Sequence, residues 1–363
     1  MPKIDKLLLQ MKEVGASDLH YTVGCPPKMR IHGDMQTLDL PVITMEEARD
    51  TLFEIVTAEQ QKTFLQERDL DFAYGLPGYA RYRTNFLFQQ NGIGAVFRMI
   101  PEKIMTLDQL NAPKAILQFV QLGSGLVVVT GPTGSGKTTT LATVINYINE
   151  NYYRHILTIE EPIEFVHPNK KCLVTQREVG TDTRSFSAAL RSAMREDPNV
   201  ILVGEMRDQE TISLALTCAE MGILVFGTLH TNSAPKTVDR VIDVFPSEEQ
   251  ARIRTMLASS LTGVIAQQLC RRCDIAGRVA AYEVLVGSPA LGAVIRTGEV
   301  SKIESMIQAG GSVGMQTMDG AIMNLLQNGW ISGEEAYAKS FDKRVFEQYY
   351  KIEGAEAEGE EEK

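Results

Sequence analysis

Gly131-Pro132-Thr133-Gly134-Ser135-Gly136-Lys137-Thr138, followed by Thr139, satisfies the pattern G-x-x-x-x-G-K-[ST] and stands between the apolar run LVVVT at 126–130 and the helical sequence TTTLATVINYINE. Glycines let successive backbone N–H groups turn inward around phosphate oxygens, and a helix that starts there directs its positive end at the same anion. Lys137 is then expected to reach the β and γ oxygens and Thr138 to ligate a cation, so ATP with Mg²⁺ is the expected pair of ligands.

Three other places carry compatible chemistry. Glu205 ends VILVGE at 200–205, a carboxylate at the tip of an apolar strand, where an open α/β sheet has its ligand crevice. From there it can hold the Mg²⁺ shell through water. Glu160, Glu161 and Glu164 in TIEEPIEF follow a strand ending at 159, and Pro162 blocks helix continuation, leaving a rigid acidic turn. Any of the three could position or deprotonate an attacking water. His230 follows ILVFGTL in GTLHTNS, where an imidazole can sense a γ-phosphate. His20, His32, His155 and His167 lack such context and read as surface or packing residues.

Hydrolytic phosphoryl transfer also needs cationic charge on the γ-phosphate, often an arginine from outside the phosphate-loop domain. Arg81, Arg83 and Arg98 are candidates. RYR alternates, so Arg81 and Arg83 share one strand face, with Arg98 near on the neighbouring strand if the hairpin pairs in register.

The elements that must position these groups fall into two patterns. Residues 1–100 open on an amphipathic helix with Ile4, Leu7, Leu8, Met11 and Val14 at i, i+3, i+4 spacing. Strand runs follow at 19–24, 28–33, 70–75, 81–90 and 94–100, the last two joined by a turn at Asn91-Gly92. This predicts a small α+β domain. Residues 101–114 hold two prolines and no sustained period, and read as a linker. From 115 to 350, apolar runs at 126–130, 156–160, 200–205 and 223–229 alternate with turns and helices, the mark of a mostly parallel sheet covered on both faces.

The chain has 363 residues, 44% of them hydrophobic and 23% charged, which excludes disorder as its dominant state. The longest apolar runs fall far short of the ~20 residues that a membrane-spanning helix needs, and the N-terminus lacks the features of a secretory signal. A soluble cytoplasmic protein is expected. Of the net charge of −10, residues 353–363 supply −5 through six Glu and one Lys, so 351–363 reads as a disordered acidic tail. The acidic balance argues against nucleic acid as a partner. Of the five cysteines only Cys270 and Cys273 have metal-ligand spacing, half of what a closed zinc site requires, and they read as two thiols at a helix end.

Taken together, GPTGSGKTTT, ILTIEEPIEF, LRSAMREDPNVILVGEMRD and GTLHTNSAPKTVDRVIDVFP, with the N-terminal GASDLH, closely resemble the secretion ATPase superfamily, and most closely its type IV pilus retraction branch, from about residue 3 to residue 346. The resemblance implies an α/β protein with a PAS-like N-terminal α+β domain and a RecA-like P-loop ATPase domain. It implies a homohexameric ring, peripheral to the cytoplasmic face of the inner membrane, that couples ATP hydrolysis to pilus disassembly and twitching motility. Its implied partners are an inner-membrane pilus platform protein and a paralogous retraction ATPase. By motif, Lys137 and Thr138 carry over as phosphate-loop residues, Glu164 as the catalytic glutamate, Glu205 as the Walker B carboxylate and His230 as the histidine-box residue. Arg83 and Arg98 match arginines that approach nucleotide from the N-terminal domain.

This sequence departs from the family pattern in three places. Glu161 stands where the family usually has Asp, and PALGAVIRTGE keeps Ile295 and Arg296 of the retraction branch's AIRNLIR segment but loses its first arginine. LCRRC passes directly to AGRVAAYEVL without the second cysteine pair of the assembly branch, which favours retraction over assembly. An accessory retraction paralogue, an assembly or secretion ATPase and a non-hydrolysing nucleotide-binding ring scaffold are the alternatives.

Overall fold

Apolar residues along the chain collect into separate cores, one in the N-terminal part and three in the rest. A computed structural model describes residues 1–31, 33–76, 78–100 and 103–350; His32 and the acidic tail at 351–363 lie outside them. Contacts divide the chain into two compact units. The first holds Met1–Ile104 together with Glu161–Val166, and the second starts at Met105 and resumes at His167. The division thus falls inside the proline-bearing stretch 101–114, while the acidic turn, expected within the second domain, groups with the first unit.

In the first unit, β1 (Ala16–Thr22), β2 (Lys28–Ile31), β3 (Asp34–Thr37), β4 (Asp69–Leu76), β5 (Ala80–Gln89) and β6 (Gly92–Ile100) form a wholly antiparallel sheet in the order β3-β2-β1-β6-β5-β4. The helix Asp5–Val14 contributes Leu8 and Met11, both fully buried, to its core, whereas Val14 at the end of the same stripe is exposed. The turn between β5 and β6 is shifted one residue from the expected pair. Gln89 faces Gly92 across the ladder, so Gln90 and Asn91 form the loop, and Gly92 adopts φ 135°, a conformation that favours glycine.

The second unit is built on a seven-stranded sheet. It comprises β7 (Gly125–Thr130), β8 (His155–Glu160), β9 (Leu173–Glu178), β10 (Val200–Val203), β11 (Leu224–Leu229), β12 (Leu261–Arg271) and β13 (Arg278–Val286), in the order β13-β12-β7-β11-β10-β8-β9. All neighbours pair in parallel except β12 with β13. Burial on both faces explains the unbroken apolar runs. Leu126 and Val128 of β7 enter one core while Val127 and Val129 enter another, and β10 divides the same way. The helix Lys137–Asn151 covers the second of these faces with Leu141, Val144, Ile145 and Ile148, spaced at i, i+3, i+4 and i+7.

Cys270 and Cys273 correct an expectation. Cys270 lies in a strand, not at a helix end, fully buried in the core beside β13, and its thiol is pushed up to about 12 by that burial and by Glu335. Cys273 is exposed beyond the strand end. Among the described residues no group of three or more His, Cys, Asp or Glu is placed to hold a metal ion. Among them, too, no helix is long and apolar enough to cross a membrane.

Candidate active site

The phosphate loop links the end of β7 to the helix Lys137–Asn151, and its backbone takes conformations at its glycines that other residues rarely adopt. Gly131, Gly134 and Gly136 have φ of 151°, 78° and 90°. At Gly131 there is also no room: a Cβ would stand 2.2 Å from the Gln267 carbonyl oxygen and 2.5 Å from Ser135 Oγ. Gln267 of β12 closes the loop from the far side, its Nε2 donating to the Ser135 carbonyl at 2.6 Å. Ser135 Oγ itself is buried without a hydrogen-bond partner among the described residues, as is Gln267 Oε1. A buried hydroxyl left unpaired costs about 1–3 kcal/mol, which a bound phosphate oxygen relieves.

Lys137 Nζ folds back onto its own loop, donating to the carbonyls of Gly131 at 2.7 Å and Pro132 at 3.2 Å. Its next neighbour is His230 Nδ1 at 3.5 Å, just past the end of β11. The other ring nitrogen, Nε2, lies 2.9 Å from Glu205 Oε1, beyond the end of β10. Three of the sequence candidates therefore stand in one line, because β7, β11 and β10 are adjacent parallel strands whose carboxyl ends open on one side. Arg207, which sequence reasoning did not select, adds a fourth member at 2.7 Å from Glu205.

Electrostatics along this line are mutual. Burial draws the Lys137 ammonium below its ordinary value, and the Glu205 charge partly restores it. Burial opposes the charge on Glu205, but Arg207 and His230 outweigh it and hold the carboxyl below its usual range. Thr130, the last residue of β7, ties the loop to the histidine segment: its hydroxyl bonds the carbonyl and hydroxyl of Thr231 at 2.6 and 2.7 Å, and the Thr231 hydroxyl meets that of Thr237 at 2.7 Å. Thr138 is exposed at the start of the helix.

Glu164 belongs to the first unit, where it pairs with Arg83 at 3.5 Å. Arg83 is gripped on its other side by Asp71 of β4, at 2.6 Å through Nη2. Arg83 and Arg98 are direct partners in the β5–β6 ladder, and Arg98 Nε bonds the buried Asp18 of β1 at 2.8 Å. Both arginines are thus held by carboxylates of their own sheet. The sequence signal for those carboxylates was the alternation of acid with apolar residues in LDFAYG and ASDLHYT, which marks them as sheet-face residues without pairing them to an arginine.

Residues 76–327 match the model of the family described as type II/IV secretion system protein. The chain belongs to that family. Within it, the chain is 51% identical over 337 residues to the type IV pilus retraction ATPase PilT of Pseudomonas aeruginosa, which covers 93% of this chain and 98% of that one. To the type IV pilus ATPase PilU of the same organism it is 38% identical, over 93% of this chain and 88% of PilU. Among solved structures, the fold matches the pilus retraction motor PilT with bound ADP at a TM-score of 0.87 and 41% identity, covering 96% of this chain and all of the other. The Legionella pneumophila ATPase DotB matches at 0.77 and 29%, over 92% and 94% of the two chains. This family member is accordingly a nucleotide-binding ATPase of mixed α/β fold, with an antiparallel N-terminal sheet and a mostly parallel C-terminal one.

Proposed function

We propose that this protein is a hexameric motor that hydrolyses ATP to drive type IV pilus retraction, peripheral to the cytoplasmic face of the inner membrane and acting on a pilus platform protein. The observation that carries the reading is the line Lys137, His230, Glu205 beside the orphaned Ser135 hydroxyl. Retraction is favoured over the accessory paralogue by 51% identity to PilT against 38% to PilU. A 50% identical relative from Neisseria gonorrhoeae is named a twitching motility protein.

The cradle suits the phosphates of a nucleotide, and Thr138 would hold Mg²⁺ directly and Glu205 through water. Bound Mg²⁺ supplies charge neutralisation on the phosphate oxygens. Lys137 exchanges its two carbonyl partners for β and γ oxygens, and the backbone N–H groups of residues 131–139 surround the same anion. Glu164 takes a proton from the attacking water as its oxygen bonds to the γ-phosphorus, while the bond to the β–γ bridging oxygen breaks and its electron pair leaves with ADP. Arg83 and Arg98 bring cationic charge to the γ-phosphoryl group. His230, held between Lys137 and Glu205, registers whether that group is present.

Phosphate release from the purified protein tests the reading. Lys137→Ala is expected to abolish hydrolysis, and Glu164→Gln to bind ATP while slowing turnover at least ~10²-fold. Unmodified protein that binds ATP without releasing phosphate would instead be a ring scaffold. Deletion of the gene is expected to leave cells hyperpiliated and unable to twitch; bald cells would mean assembly.

A further inference from the structure

The loop that carries Glu164 leaves the second unit at Glu160 and returns to it at His167. One side chain bonds both of those residues. Gln176, in the middle of β9, accepts the His167 backbone N–H at 2.7 Å through Oε1 and donates through Nε2 to Glu160 Oε1 at 3.2 Å. The Glu160 carboxylate is buried and also receives the Thr158 hydroxyl at 2.7 Å. Thr158 and Gln176 are register partners in the parallel β8–β9 pair, so Thr158, Glu160 and Gln176 share one face of the sheet.

The chemistry of this bridge requires an amide. The His167 backbone N–H donates and the Glu160 carboxylate oxygen accepts, so the side chain between them presents one acceptor and one donor. Glutamate offers acceptors alone and would set charge against charge, and an aliphatic side chain offers neither. Downstream of the bridge the chain is held again by the buried Asn149, on the helix that begins at the phosphate loop. Asn149 Nδ2 bonds the Pro168 carbonyl at 2.8 Å, and its Oδ1 accepts the Lys170 N–H at 3.1 Å.

We propose that Gln176 is a positioning residue for hydrolysis: its carboxamide closes the base of the loop 161–166 and fixes where Glu164 can stand. The inference rests on Glu164 being the group that takes the proton. Arg83 restrains the middle of the loop through Glu164 itself, whereas Gln176 restrains its two ends. A loop open at its base keeps the carboxylate but loses its alignment, and misplacement of about 1 Å costs on the order of 10²-fold in rate.

Measurements on the whole chain test this. In Gln176→Ala, amide hydrogen exchange in the peptide containing 161–167 is expected to quicken, kcat to fall roughly tenfold or more, and KM for ATP to stay within about twofold, because the bonds that close the loop go to His167 and Glu160 rather than to the phosphate loop. The decisive comparison is epistatic. In a Glu164→Gln background, Gln176→Ala is expected to lower turnover no further, since a residue acting through Glu164 has nothing left to align. An equal drop in both backgrounds, or unchanged exchange, overturns the proposal. Unchanged turnover in Glu164→Gln alone overturns the assignment of Glu164 instead. Should Gln176→Ala melt at assay temperature, Gln176→Glu keeps the side-chain volume and the bond to His167 while losing the one to Glu160, and the same comparisons apply.

Discussion

His167 shows what a single residue contributes to the acid limit of the protein. It is 6% exposed, with no partner for Nδ1 among the described residues, and burial together with the Lys170 charge lowers its pKa to about 4 from an ordinary 6.5. Between those values the unfolded chain binds a proton that the folded chain refuses, so stability falls as pH falls from 6.5 towards 4, by up to about 1.4 kcal/mol for each unit. His167→Asn is expected to flatten that limb of a denaturation-midpoint series against pH; an unchanged slope would mean that His167 is charged in the fold. In the sequence this histidine reads as a surface or packing residue, and its burial decides for packing. The strand-end placement of Glu205 and His230 was far more legible, because each follows an apolar run that fixes the strand and so the tip. Gln176 and Gln267 stayed hidden for the opposite reason. An amide in a strand has no local signature of its task, and the partners of Gln267 lie 132 positions away.

Among the elements, the hairpin β12–β13 does most to complete the site, and it was the element least visible in the sequence. AQQLCRR interrupts its apolar run with glutamines and arginines, and the interruption is the point where β12 meets the phosphate loop through Gln267. Its partner β13 carries a second device. Glu283, 6% exposed, accepts the Ala234 N–H at 2.6 Å and also the Met318 N–H, so one carboxylate caps the helices Ala234–Asp243 and Met318–Gln327 at their amino ends. Burial raises its pKa, and the two N–H bonds offset part of that. Glu283→Leu leaves two buried donors unpaired and is expected to destabilise the second unit by about 2–5 kcal/mol, read as a lowered denaturant midpoint. A change under 0.5 kcal/mol would mean that water takes over both bonds. Because Ala234 lies four residues after His230, the cap also braces the histidine segment.

At the scale of the whole molecule, the candidate residues are divided between two bodies: the phosphate cradle, Glu205 and His230 in the second, and Glu164, Arg83 and Arg98 in the first. On the proposed reading, Arg83→Ala and Arg98→Ala leave the ring assembled and ATP affinity within roughly tenfold, about 1.4 kcal/mol, while turnover falls much further. Sizing chromatography, nucleotide titration and phosphate release on one preparation decide it, and a ring that hydrolyses at the unmodified rate would remove these arginines from the mechanism. Sequence periodicity drew the domain border near residue 100 but could not show that six residues from beyond the phosphate loop belong to the first body. That discontinuity has a consequence for birth of the chain on the ribosome. Phe165 and Val166 line one cavity of about 390 Å³ with Leu76, Ala80 and Ile100, so a nascent chain that has reached only Ile104 lacks part of its own first domain. At ~5–20 residues per second, the missing piece arrives about 3–12 seconds later. Until then the apolar wall at Leu76 and Ile100 lacks Phe165 and Val166, and an N-terminal fragment cut at the apparent border would lack them for good.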